Sequence, residues 1–200
     1  MNKTYLRTKI AAGVCGLGLV ASTLCMAATP AFAEVVTGKT GMTDVIVKAD
    51  ESNMKFEVPT VIPFAADAEG LLTGPDPASI QIKNLSSFRI HLENMKVESV
   101  GDWNIYADEG QVAAAETNNN IAFAVGPEGN LKNAADAMID DGLDLSGDQT
   151  FDLAYMGAQT GDKVDLHTTG VVGRVLDGNV GAGTQVAQIT WTFGAGGAVN

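Results

Sequence analysis

The chain has 200 residues, 24 acidic against 12 basic, and a formal net charge of −12 with 46% hydrophobic residues. Acidity on this scale repels polyanions, which disfavours nucleic acid and anionic lipid as partners. Its two cysteines, Cys15 and Cys25, both lie in an N-terminal apolar stretch, which excludes a disulfide scaffold or a thiolate metal centre in the remainder.

Lys3, Arg7 and Lys9 precede an uncharged run from Ile10 to Met26, and Ala31-Phe32-Ala33 supplies a small-x-small cleavage pattern. Residues 1–33 therefore read as a secretory signal peptide. Its removal leaves 167 residues, nine of them basic and 24 acidic, for a net charge of −15. That length suits one domain. No second apolar run is long enough to cross a bilayer, so no membrane span is expected after processing. Residues 34–41 read as a flexible lead-in, 42–194 as one domain, and 195–200 as a flexible tail.

Along the mature chain, short alternating runs recur. Val45 to Val47 is a weak example, and Met54, Phe56 and Val58 alternate with Lys55 and Glu57. Pro59 and Pro63 then flank Thr60 to Ile62, which marks an edge or crossover because proline cannot donate to a ladder. Ile80 and Ile82 follow, and then Phe88, Ile90 and Leu92 set against Arg89 and His91. Between Leu92 and Met95 the alternation slips by one residue, so a bulge near Glu93-Asn94 is predicted to keep Met95 and Val97 inward.

Trp103 to Tyr106 is a weaker run, and Ile121, Phe123 and Val125 a stronger one. Leu131 to Ile139 has Leu131, Ala134, Ala135 and Met138 at helical spacing, with Asn130 as the cap. Phe151, Leu153 and Tyr155 alternate again, as do residues from Val164 to His167. Ala187, Ile189, Trp191 and Phe193 against Gln188, Thr190 and Thr192 form the cleanest run. Each reads as a half-buried strand. Glu69-Gly70, Gly74-Pro75, Gly161-Asp162 and Asp177-Gly178 favour reversals between them. The pattern predicts an all-β protein: an antiparallel β-sandwich, Ig-like or Greek-key, of about 8–10 short strands with at most one short helix.

Residues for catalysis are scarce. His91 and His167 are the histidines, and both fall on the polar phase of their strands, facing solvent. No G-x-S-x-G elbow is present, and no carboxylate pair is marked by spacing. The chain reads as a non-enzyme without a cofactor. The one candidate metal cluster is acidic: Asp140, Asp141, Asp144 and Asp148, with Asp136 nearby, could supply oxygen ligands to calcium. Their spacing does not fit the twelve-residue calcium loop, since Gln149 stands where glycine is required, and a solvated acidic loop is the favoured reading. Most aromatic residues take the inward phase. Trp103 and Tyr106 are the exceptions expected at the surface, and so the candidate ligand-binding pair for a sugar.

Two segments carry a resemblance. Val58-Pro59-Thr60-Val61-Ile62-Pro63-Phe64, leading to Ile80-x-Ile82-x-Asn84 and Ser86, resembles secreted surface proteins of Gram-positive bacteria. Trp103-Asn104-Ile105 paired with a terminal Trp191-Thr192-Phe193 is loosely similar to WxL-type cell-wall-binding domains, with Ile105 and Phe193 where leucine belongs. The resemblance implies a wall-associated β-sandwich held non-covalently at the surface, whose partner is a cell-wall polymer, a surface protein or a second copy. Some such proteins carry an amide cross-link between a buried lysine and an asparagine. Here Lys55, Lys83 and Lys96 all take the outward phase, so none is expected. The implied function is that of a secreted, structural or adhesive protein associated with the cell surface. A self-assembling fibre, in which residues 34–44 add a strand to a neighbour, and a glycan-binding module are the alternatives.

Overall fold

The computed structural model describes residues 53–176, 179 and 183–198, so the expected signal peptide (1–33), the expected lead-in (34–41), Val45 to Val47 and the expected Asp177-Gly178 reversal lie outside the described residues. In chain order come β1 (Phe56–Glu57), β2 (Ala65–Ala66), β3 (Leu72–Thr73), β4 (Gln81–Asn84), β5 (Ile90–Ser99) and β6 (Asn104–Ile105). The helix α1 (Glu109–Ala114) precedes β7 (Asn120–Gly126), β8 (Lys132–Asn133), β9 (Leu143–Asp144), β10 (Asp152–Leu153), β11 (Lys163–Asp165), β12 (His167–Gly173) and β13 (Ala187–Ala195). The protein is all-β, with one short α-helix among the described residues and nearly every pairing antiparallel. Among the described residues thirteen strands stand where periodicity predicts eight to ten, because seven are two-residue pairings too short to show a period.

β5 organises one sheet. On one side it pairs with β13 along its whole length, and on the other with β10 and then β9. Thr192 faces Asn94 while Phe193 faces Leu92, so Glu93 is the extra residue of the predicted bulge. Ile90, Leu92, Met95 and Val97 are all fully buried as a result. A second sheet is built on β7, whose seven residues pair with the seven of β12; β8 joins it antiparallel and β6 parallel. A third sheet runs β1-β4-β11, and β2-β3 form a separate hairpin. No sheet among the described residues closes into a barrel.

One core serves all the larger sheets. It includes Ile82 from β4, Leu92 and Met95 from β5, Phe123 and Val125 from β7, and Leu153, Leu166 and Phe193. Each large side chain so buried contributes about 1.5–3 kcal/mol before conformational entropy is subtracted.

Several local expectations are corrected. Leu131–Ile139 is not a helix under an Asn130 cap: β8 occupies its start, and only a 3-10 turn, Ala135–Met138, follows. Ala134 and Ala137 are the buried residues there, while Leu131 and Met138 are exposed. Ala134 N–H donates to the Phe123 carbonyl and so continues the pairing of β8 with β7, and the small alanines let the turn that follows lie against β5. The α-helix forms instead at Glu109–Ala114, where the Asp108 carboxylate accepts from Gln111 N–H at 2.9 Å and the Gln111 side chain accepts from Ala107 N–H. The sequence signal for this variant of the capping box is Asp108-x-x-Gln111. Tyr155 is 54% exposed rather than inward, because the backbone leaves β10 after Leu153 and bonds Ala154 to Gly161. Phe56 is also partly exposed, its ring tilted against Phe193 at 4.3 Å.

Candidate functional site

The acidic segment frames an open hollow of about 740 Å³ beside β8 and β9, lined by Lys132, Asp136, Asp144 and Asp148 with Leu143 and Leu145. β8 sets Lys132 on the rim because Val125 of β7 pairs with it. There the Lys132 ammonium lies 2.6 Å from the Asp148 carboxylate and 2.9 Å from Asn130 Oδ1. The Asn130 amide donates to both Asp148 oxygens, and the Thr150 hydroxyl donates to one of them at 2.6 Å. Burial pushes the Asp148 carboxyl up, but Lys132 and the donors on Thr150 and Asn130 outweigh it and hold it far below the usual carboxylate range.

Asp148 is thus saturated by the protein's own cation and amides. Asp144 accepts from Ser146 N–H at 2.9 Å, and that bond lowers its pKa. Asp140 and Asp141 are exposed, and Asp141 contributes only its carbonyl, to Asn94. Among the described residues no three acidic, histidine or cysteine side chains gather in a geometry for a metal ion. The four calcium candidates are therefore not brought together, and the arrangement at Asp148 serves the fold by clamping the loop before β10 to β8.

The sugar-binding candidates also part company. Trp103 is only 8% exposed and belongs to the core, which corrects its expected place at the surface. Its position follows from β6 lying parallel against β7, an arrangement the run Trp103 to Tyr106 does not reveal. Tyr106 is half-buried, with its hydroxyl 3.2 Å from Thr117 Oγ1. Trp191, read as core, is only partly buried and packs at the core's margin.

His91 is a second correction. It takes the polar phase, yet it is 3% exposed, because β10 and β13 flank it and the residues after β13 bond across its neighbours. Its Nδ1 lies 3.5 Å from Asp152 Oδ1, while Arg89 reaches Asp152 Oδ2 at 3.1 Å and Ala198 N–H donates to Oδ1 at 2.7 Å. Neither ring nitrogen has a hydrogen-bond partner among the described residues. His167 is half-buried at the start of β12. Lys83 and Lys96 point outward to Glu57 and Glu98.

Buried asparagines hold structural roles that the sequence pattern does not assign, Asn84 having entered it only through a resemblance. Asn84, 1% exposed, donates to the Phe88 and Ala154 carbonyls and accepts from Ser86 N–H. Ser86 in turn exchanges hydrogen bonds with the Lys55 backbone. The Asn84-x-Ser86 spacing is thus a staple joining β1, β4 and the end of β10. Asn120 is bonded to Thr117, and Asn119, at φ 58, accepts from Leu176 N–H. The run Asn118-Asn119-Asn120 before an apolar strand was the available signal, since asparagine tolerates positive φ and caps free backbone groups. No family model, curated protein or solved structure matches the chain.

Proposed function

We propose that the protein is a secreted, non-enzymatic component of a Gram-positive cell surface or its matrix, structural or adhesive, and held to the wall without a covalent bond. What it does, on this reading, is associate. The observation that carries it is β13: nine residues long and the margin of its sheet, it pairs among the described residues with β5 alone. A strand margin of that length offers a row of free backbone donors and acceptors, the means by which one β-protein adds to another.

The signal peptide and the surface location rest on the N-terminal residues and on the resemblance described above. Cell fractionation tests both. The protein should appear in the culture medium and in the fraction released from walls by concentrated salt, with its N-terminus at Glu34. Retention in the cytoplasm, or release only by enzymes that digest the wall, overturns the proposal.

A further inference from the structure

We propose that β13 is the seam of a symmetric dimer, in which two copies pair β13 to β13 antiparallel about Trp191. The inference rests on the reading that this protein works by association, and it names the partner as a second copy of the chain. Val100 N–H donates to the Val186 carbonyl and Gly196 N–H to the Arg89 carbonyl. Even-numbered residues of β13 therefore turn their backbone groups toward β5. Antiparallel pairing alternates these directions, and the extra residue of the bulge lies on β5, so the alternation along β13 is unbroken. Ala187, Ile189, Trp191, Phe193 and Ala195 are left with N–H and C=O aimed away from the sheet.

Exposed margins of natural sheets are guarded by lysine, proline, charge or a bulge of their own. Ala187–Ala195 has no charged residue and no proline, in a chain with twice as many acids as bases. Its sequence is also self-complementary. With Trp191 at the twofold axis all nine residues pair. Ile189 meets Phe193 of the other copy on the apolar face, and Thr190 meets Thr192 on the exposed face, a favourable cross-strand pair. Shifting the axis to another residue of the strand leaves residues unpaired at both ends. Two molecules of strong like charge thus meet along the strand where neither brings a charge, and gain roughly ten backbone hydrogen bonds. A basic or acidic partner finds nothing on this strand to recognise.

The register supplies the test. Thr190→Lys with Thr192→Lys places lysine opposite lysine twice across the axis, and Thr190→Glu with Thr192→Glu does the same with glutamates. Both positions are exposed, and circular dichroism checks that each variant folds. In sedimentation velocity the unaltered protein should show a concentration-dependent monomer–dimer equilibrium. Each double variant alone should be monomeric, and an equimolar mixture of the two should recover the dimer. A protein that stays monomeric up to about 1 mM, weaker than the range expected for a specific contact, overturns the inference. So does dimerisation undiminished in both variants, or a mixture that stays monomeric. Wall fractionation of the lysine variant separates this proposal from the one beneath it. A monomer still bound to the wall sinks neither surface location nor wall binding, whereas an unaltered dimer absent from the wall sinks those alone.

Discussion

Two side chains carry more of the fold than their polarity suggests. Asn84 is buried, with three of its hydrogen bonds made to backbone. Replacing it by alanine leaves a buried N–H and two carbonyls unmet, at about 1 kcal/mol each. Asn84→Ala should therefore lower unfolding free energy in urea by about 3 kcal/mol, and a loss below 1 kcal/mol means the backbone finds other partners. Asp148 makes a prediction in pH. Its folded pKa lies below its unfolded value of about 3.9, so its stabilisation is complete above that value. It is lost as pH falls from there through the folded pKa. Asp148→Asn should cost about 2 kcal/mol at pH 7, in the range for a hydrogen-bonded charge. The gap to the unaltered protein should close progressively below about pH 4, and a gap independent of pH means the charge of Asp148 does not matter.

At the scale of the strand, the bulge in β5 permits a sharper test. Without Glu93 the run Ile90, Leu92, Met95, Val97 alternates perfectly, so deleting that residue keeps every apolar side chain inward. The loss is the hydrogen bond from Leu145 N–H to the Glu93 carbonyl, about 1 kcal/mol. Deleting Lys96 instead throws Val97 out of phase, forfeiting about 2 kcal/mol or more at that side chain alone. Thermal melts should show the first deletion folded and the second far less stable or unfolded; equal damage from both refutes the register. The same strand shows what was legible and what was not. A period of two states which side chains share a face, and it located Leu92, Met95, Ile82 and Phe123 in the core. It says nothing of what later covers the opposite face, which is why His91 and Trp103 were misplaced. It is equally blind to pairings of two residues, and those bring β8 and Lys132 to Asp148. The acids were visible as a cluster, but the lysine that neutralises one of them was sixteen positions away.

For the whole molecule the dominant unbalanced term is charge, 24 acids against 12 bases before any processing. Like charges repel most in the compact state, so the native protein is under electrostatic stress that dissolved salt relieves. Ion pairs act in the opposite direction, since screening weakens them. The two exposed lysine–glutamate pairs are worth little at any salt, and the Lys132–Asp148 pair is largely shielded from ions, its side chains 18% exposed on each side. Relief of repulsion should therefore win. Raising NaCl from about 0.05 to 0.5 M should stabilise the protein by about 1 kcal/mol, or about 2–4 °C in Tm at this chain length. The melt belongs at low protein concentration, because association of native copies would raise Tm by mass action. Magnesium and calcium chlorides at equal concentration then separate screening from a bound ion. Equal shifts follow from screening by divalent ions, whereas an excess for calcium that saturates with concentration reveals a specific site. A Tm that falls with NaCl shows instead that ion pairs, not repulsion, govern this acidic fold.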